Sequence, residues 1–205
     1  RTAERVNPDL AGRPQLVTGD TQFYPGMTGL SENSVLSIKN KSFSVTAEVV
    51  VPDGRANGTL IAQGGAIGGW SLYTRDGKTK FTYNLLGIQA FTTEASEPLP
   101  SGKHQVRVEF AYDGGGFAKG GDVALYYDGE KVGEGRVDAT QPFIFSADEG
   151  LDVGSETGTA VAPDCDVQSS AFTGEINWIE LKLGEDDHTH QLAPEDHLKV
   201  LMGRQ

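Results

Sequence analysis

The sequence predicts an all-β protein built as a two-sheet antiparallel β-sandwich, and three observations lead to this fold class. Between residues 103 and 137, apolar and polar residues alternate with the two-residue period of strands that bury one face. Asp128-Gly129 separates two such runs and supplies the positive φ values of a tight hairpin turn. The 205 residues include 27 glycines and 9 prolines between short apolar runs, which is typical of an all-β chain with many turns.

Three strands follow one another in the stretch 103–137, joined first by a glycine-rich loop and then by the Asp-Gly turn. An antiparallel meander of this kind has a hydrophobic face that a second sheet must cover. The pattern therefore predicts two packed sheets. The predicted inward side chains are Val106, Val108, Phe110, Tyr112, Val123, Leu125 and Tyr127.

Residues 42–51 alternate in the same way and end at a Pro-Asp-Gly turn, 52–54. The predicted inward side chains are Phe43, Val45, Ala47, Val49 and Val51. The glycine-rich stretch 64–69 then leads into another strand at Trp70. A phosphate cradle needs a helix after its glycine loop, so we expect these glycines to allow close backbone packing instead.

Residues 172–183 are predicted to close the sandwich. Ile179 and Leu181 share one parity and Ile176 falls on the other, which indicates a β-bulge near Asn177 or burial of both faces.

The chain divides into three parts. Residues 1–25 mix prolines, glycine and charges without a sustained period and are predicted to form an extended lead-in. Residues 26–184 form the sandwich. Residues 185–205 form a tail in which 194–202 is predicted to be a short helix, because it has a proline in its first turn and a glycine just past its end.

The charge balance limits the kinds of partner that the chain is expected to bind. The chain has 17 Lys plus Arg against 29 Asp plus Glu, a formal net charge of -12. Such an excess of acids argues against nucleic acid and against an anionic membrane, and favours a neutral or basic surface. With Cys165 as its one cysteine, the chain cannot form an intrachain disulfide, so the sequence leaves the compartment unknown.

Several motifs resemble known families. Two strands that each end in Tyr-Asp-Gly resemble concanavalin A-like and laminin-G-like jelly rolls. More narrowly, four motifs resemble the C-terminal domain of bacterial arylsulfatases: Phe110-Ala-Tyr-Asp-Gly-Gly-Gly, Lys119-Gly-Gly, Asp152-Val-Gly and Phe172-Thr-Gly-Glu-Ile. The segments 7–14 and 30–35 are similar to the lead into that domain.

The arylsulfatase resemblance implies a function for the chain. It implies a non-catalytic jelly-roll domain, cut from a longer sulfuric ester hydrolase, that packs against an N-terminal catalytic α/β domain of the same polypeptide. The family's chemistry comes from a Cys/Ser-x-Pro-x-Arg motif, and this sequence has none. The chain alone is therefore expected not to be an enzyme, no catalytic residue is assigned, and the suspected parent is the arylsulfatase.

Acidic residues suggest a metal site. Residues 137–181 contain no Lys or Arg, and calcium favours several carboxylate and carbonyl oxygens from flexible loops. The candidate calcium ligands are Asp148, Asp152, Asp164 and Asp166. The alternative is a solvated acidic rim, or one that docks on a basic face of a neighbouring domain. The aspartates beside Cys165 are expected to raise the pKa of its thiol, and His188 with His190 offers a weaker metal candidate in the tail.

Two other functions remain open. In an independent carbohydrate-binding module, Trp70, Tyr73 and Tyr83 would form a platform on which a sugar stacks, although alternating aromatic residues on strands more often belong to the core. A concanavalin-fold glycoside hydrolase or lyase would need two carboxylates facing each other on one concave face. The available acids are Glu48, Glu109 and Asp122.

Overall fold

The alternation in the sequence produces two antiparallel sheets. The structure, a computed structural model, describes residues 19–24, 28–142, 144–146 and 148–184. The strands in this part of the chain are β1 Thr21–Tyr24, β2 Phe43–Val51, β3 Gly58–Gly65, β4 Gly68–Arg75, β5 Lys78–Leu85, β6 Gln89–Pro98, β7 Gly102–Tyr112, β8 Gly121–Tyr127, β9 Glu130–Val137, β10 Leu151–Val153 and β11 Glu175–Leu183. Two short 3₁₀ turns, Glu32–Ser34 and Val167–Ser169, complete the elements.

The six-stranded sheet has the order β1-β11-β2-β7-β8-β9, and the five-stranded sheet has the order β10-β3-β4-β5-β6. Every strand pair is antiparallel. The prediction of an all-β, two-sheet antiparallel sandwich is therefore confirmed. No helix in the described ranges is long and apolar enough to cross a membrane.

The inner faces of the sheets meet around Phe43. Its ring centroid lies 5.3 Å from that of Phe110 in the same sheet. It lies 6.0 Å from the ring of Trp70 and 6.4 Å from that of Phe81 in the opposite sheet. Tilted aromatic pairs at these distances add to the free energy gained by burying the rings. The inward positions predicted for β2, β7 and β8 are buried, with Tyr112 partly buried against the core.

The predicted turn and bulge are both present. Asp128 and Gly129 have φ values of 50° and 86°, the pair of positive values that a type I′ hairpin requires. The register of β11 against β2 shifts between Ile176 and Trp178, at the position predicted for a bulge. The shift turns Ile176 towards the core, which explains its parity.

The glycines at 64–69 allow the close approach expected of them. A Cβ on Gly64 would lie 2.2 Å from the Gly68 carbonyl oxygen, and one on Gly69 would lie 2.1 Å from the Gln63 carbonyl oxygen. Strand β4 follows directly, so no helix is available to hold a phosphate.

Two expectations concern the ends of the chain. Strand β1 falls within the predicted lead-in, yet it pairs with β11 as an edge strand of the six-stranded sheet. The predicted helix at 194–202, together with His188 and His190, lies outside the described residues.

His104 and Asp128 form an ion pair that joins β7 to the β8–β9 turn. His104 Nδ1 lies 2.6 Å from Asp128 Oδ2, and His104 Nε2 lies 3.1 Å from the Ser101 carbonyl oxygen. Partial burial alone would lower the pKa of His104, but the bonds to Asp128 and Ser101 outweigh it and raise the pKa. The charged histidine therefore stabilises the fold below its unfolded pKa of about 6.5, and this contribution is lost as the pH rises through the folded value.

We predict that Asp128→Asn removes this pH dependence. Asparagine tolerates the positive φ and keeps an oxygen to accept from the Gln105 amide, which Asp128 Oδ1 now does at 2.8 Å. Urea unfolding measures the loss of unfolding free energy in the variant, which should be larger near pH 5.5 than near pH 8.5. The difference between the two losses should be less than about 1 kcal/mol, because the pair is partly exposed. A loss that stays equal at both pH values would contradict the role given to His104.

Candidate functional site

The segment 154–170 lies over the outer face of the five-stranded sheet, and Glu156 holds it there by hydrogen bonds. This buried carboxylate accepts from Thr59 Oγ1 at 3.0 Å and from Ser71 Oγ at 3.4 Å through Oε1, and from the Val161 amide at 2.8 Å through Oε2. Burial raises the pKa of Glu156, although the three hydrogen bonds act in the opposite direction. The face over β3 and β4 is thus closed by the chain itself.

A second anchor of this segment is Asp164. Its Oδ1 accepts from the buried Tyr73 hydroxyl at 2.7 Å, and its Oδ2 lies 3.0 Å from Lys80 Nζ. Burial, followed by the negative charges of Asp164 and Glu156, raises the pKa of the neighbouring Cys165 thiol to about 12. The thiol therefore stays protonated near neutral pH, as its acidic neighbours led us to expect.

The four candidate calcium ligands do not converge. Asp152 accepts from the Gly29 amide and from Thr157, Asp166 caps the turn Val167–Ser169, and Asp164 holds Tyr73 and Lys80. Asp148 is exposed on its loop. Among the residues that the structure describes, no group of three or more His, Cys, Asp or Glu side chains is arranged to hold a metal ion. Calcium binding stays a prediction, and the carboxylates of Asp152, Asp164 and Asp166 form hydrogen bonds within the fold.

The aromatic residues named for sugar stacking are inside the protein. Trp70 and Tyr73 are 0% exposed and Tyr83 is 3% exposed. Trp70 donates to Gln63 Oε1 at 3.0 Å, and the Tyr83 hydroxyl accepts from the Gln141 amide at 2.8 Å. None of the three rings offers a face to a solute in this structure. The alternative stated for alternating aromatic residues, that they build the core, describes Trp70 and Tyr83.

The outer face of the six-stranded sheet carries charged and aromatic side chains. Glu180, Thr46, Arg107 and Tyr126 lie in register across β11, β2, β7 and β8. Arg107 donates to Thr46 Oγ1 at 3.0 Å and to Glu109 Oε1 at 2.8 Å. Because Arg107 is only 3% exposed and its neighbours in the row are buried, this layer is packed rather than open to a ligand.

Of the acids considered for glycosidase chemistry, Glu48 and Glu109 lie too far apart to form a catalytic pair. Glu48 on β2 is in register with Gln105 on β7, and Glu109 lies four residues after Gln105 on β7. That offset is about 14 Å along a strand, whereas the two carboxyl groups of a glycosidase lie about 5 to 10 Å apart. Asp122 is engaged by Arg136, whose Nη1 lies 2.9 Å from Oδ1.

A site that the periodicity missed lies on the β7–β8 loop, where Phe117 is 67% exposed. The backbone on both sides of the ring is held in place. The Gly116 carbonyl oxygen accepts from the Tyr112 hydroxyl at 2.6 Å, and the Ala118 amide donates to Asn40 Oδ1 at 2.9 Å. These two hydrogen bonds brace the loop that carries the ring. Its signal in the sequence was a lone aromatic residue between glycines, which strand alternation does not address.

Exposed aliphatic side chains gather at the same end of the sandwich. Ile67 on the β3–β4 turn, and Leu86 and Ile88 on the β5–β6 turn, are called the apolar tips below. They are 64%, 55% and 83% exposed, respectively. A Cβ on Gly87 would lie 3.5 Å from the Ile67 Cα, so the two turns touch. The turns at the opposite end carry mainly polar residues, glycine and proline: 52–54, 76–77, 100–101 and 128–129.

The site geometry makes a prediction for Glu156. Because its folded pKa is raised, the wild type should lose stability, relative to Glu156→Gln, as the pH rises from about 4.5 through the folded value. Glutamine can accept from the Val161 amide and donate to the two hydroxyl groups. Glu156→Ala leaves that amide without its acceptor and should cost about 1–3 kcal/mol. Urea unfolding from about pH 4 to 8 measures both, and a pH-independent difference between wild type and Glu156→Gln would refute the assignment.

No protein-family model matches the chain. No curated protein sequence matches it significantly either.

Solved structures do share the fold. The CBM40 of the Ruminococcus gnavus IT-sialidase, a carbohydrate-binding module bound to α2,3-sialyllactose, superposes with a TM-score of 0.57 at 12% identity. The match covers 84% of this chain and 97% of the module.

Two further structures match part of a longer chain. The NanB sialidase of Streptococcus pneumoniae matches with a TM-score of 0.55 at 15% identity, over 84% of this chain and 28% of the sialidase. Domains LG4-5 of the mouse laminin α1 chain match with a TM-score of 0.50 at 12% identity, over 80% of this chain and 39% of that one. None of these three structures is a sulfatase, so they lend no support to an arylsulfatase origin. The chain has the concanavalin A-like and laminin-G-like jelly-roll fold.

Proposed function

We propose that this chain is a non-catalytic carbohydrate-binding module, the first of the two alternatives to a domain of an arylsulfatase. The observation that carries the proposal is the extent of the structural match. The sandwich corresponds to nearly the whole of a module that binds a sugar, 97% of its length. At 12% identity the match supports the architecture, and the contact residues have to come from this chain.

Phe117 is the contact residue that we propose. A pyranose ring has one face made of C–H groups, which can pack on an exposed aromatic ring while the hydroxyl groups remain in water. Binding costs less when the backbone that carries the ring is already held in place, because less conformational entropy is lost. The bonds of Gly116 and Ala118 to Tyr112 and Asn40 provide that preorganisation.

Charged groups next to this loop supply hydrogen bonds. Arg136 reaches Asp113 Oδ2 at 2.5 Å and Asp122 Oδ1 at 2.9 Å, and Lys119 is exposed two residues after Phe117. The hydrogen bond with Arg136 lowers the pKa of Asp113, so the carboxylate stays charged and can accept from sugar hydroxyls. With a net charge of -12, the chain favours neutral or amino sugars over sialylated or sulfated ones.

We predict that Phe117→Ala weakens binding to a neutral polysaccharide at least tenfold. Phe117→Tyr keeps an aromatic face and should bind as the wild type does, and Ile88→Ala controls for loss of apolar surface elsewhere. Binding is screened on a panel of soluble polysaccharides and sialyllactose and then measured by titration calorimetry, with calcium and with a chelator. Equal affinities of wild type and Phe117→Ala would rule out the platform, and no binding across the panel would overturn the proposed function.

A second candidate keeps the sulfatase resemblance: a non-catalytic domain that packs against the catalytic α/β domain of an arylsulfatase. The apolar tips favour it, because exposed aliphatic side chains suit a protein surface better than a sugar. Its test is the coding sequence upstream of Arg1. An in-frame domain with a Cys/Ser-x-Pro-x-Arg motif would support it, and a start codon or signal peptide directly before Arg1 would exclude it.

A further inference from the structure

We infer that the apolar tips, Ile67, Leu86 and Ile88, dock into a protein surface that offers apolar sockets and a rim of Lys or Arg. The inference does not depend on sugar binding at Phe117. It is compatible with a sulfatase partner but does not require one, because the partner is defined here by its surface chemistry alone.

The tips form one preorganised surface. Asn84 is buried below them, and its Nδ2 donates to the Ala66 carbonyl at 3.1 Å while its Oδ1 accepts from the Gly87 amide at 2.9 Å. One side chain therefore joins the β3–β4 turn to the β5–β6 turn. The Ile88 amide also donates to the Leu85 carbonyl at 2.9 Å, which closes the second turn.

Leu86 is the residue for which folding offers no explanation. Its φ is 56°, in the left-handed region that is unfavourable for a bulky side chain, and it is more than half exposed. At the opposite end, Asp76 and Asp128 fill turn positions with φ values of 51° and 50°. Aspartate is commoner than leucine at such positions. An exposed leucine gains little stability from burial and its strained conformation costs some, and strained positions of this kind concentrate at functional sites.

The surroundings of the tips decide the kind of partner. Glu149 lies beside the turn that carries Ile67. A Cβ placed on Gly65 would meet the Glu149 carboxylate. Glu149 Oε1 accepts from the Thr159 hydroxyl, which in turn accepts from the Ala66 amide. Asp148 is exposed next to Glu149, and residues 137–181 contain no Lys or Arg. Acids beside apolar side chains complement a socket with a basic rim.

The same charges argue against two other occupants. A lipid bilayer that received Ile67 would bring the Glu149 carboxylate towards a medium that penalises charge. A second copy of the chain would bring acids against acids, with a net charge of -12 on each molecule. A protein surface of opposite charge avoids both costs.

The first experiment uses the chain alone. It should remain monomeric in light scattering up to high concentration and should not sediment with phosphatidylcholine vesicles. Self-association or vesicle binding that Ile88→Ser abolishes would overturn the choice of a protein partner.

In the same preparation, Leu86→Asn should raise the unfolding midpoint by a few degrees, because asparagine tolerates the positive φ. A lowered midpoint would refute the strain at Leu86.

The second experiment identifies the partner surface. A photo-crosslinking amino acid replaces Ile67 or Ile88 in the producing cells, and Glu130 at the polar end is the matched control position. The expected result is that both tip positions, and not position 130, crosslink to one continuous surface that contains Lys or Arg, either on another domain of the same polypeptide or on one other protein. Crosslinks scattered over many unrelated proteins would overturn the inference.

The purified partner then separates docking from sugar binding. Ile67→Ser, Ile88→Ser and Leu86→Asn should each weaken docking about tenfold or more, and Glu149→Gln should weaken it while reducing its dependence on salt. Phe117→Ala should leave docking unchanged. Unchanged docking in the Ile88 and Leu86 variants would disprove the role of the tips, whatever the outcome for sugar binding.

Discussion

The ring of Phe43 and its three aromatic neighbours hold the two sheets together, and this contact limits where a function can reside. Two sheets that bury their inner faces against each other use every inward position for the core. Trp70, Phe81 and Phe110 are therefore committed to packing. What remains for recognition is the outer faces, the edges and the loops at the two ends. The segment 154–170 covers one outer face over β3 and β4, and a buried row around Arg107 fills the other across β11, β2, β7 and β8. The exposed apolar side chains of Ile67, Leu86, Ile88 and Phe117 lie on loops at one end of the sandwich.

The sequence predicted the features that depend on local chemistry. Strand alternation around Val45 and Val108, the Asp128-Gly129 turn and the bulge near Asn177 all follow from neighbours within a few residues, and all are present. What the sequence could not supply depends on contacts between distant segments. Asp152 and Asp164 belong to one acidic stretch, yet one accepts from the Gly29 amide and the other from Tyr73.

The same limit explains the aromatic residues. Trp70 and Tyr73 have opposite parity on β4, and the core covers the first while the segment 154–170 covers the second. Periodicity distinguishes two faces of a strand but does not say that both are covered. Phe117 shows the reverse case, because a loop has no period and its exposure depends on how Tyr112 and Asn40 hold the backbone.

Asn84 gives the tips a connection that reaches beyond them. Besides the two turns, its Nδ2 donates to the Val161 carbonyl at 3.0 Å, in the segment that covers the five-stranded sheet. One amide group therefore belongs to two regions, and their local opening equilibria are linked. Whatever immobilises the turns also opposes the opening of 154–170, and loosening that segment weakens the turns by the same free energy.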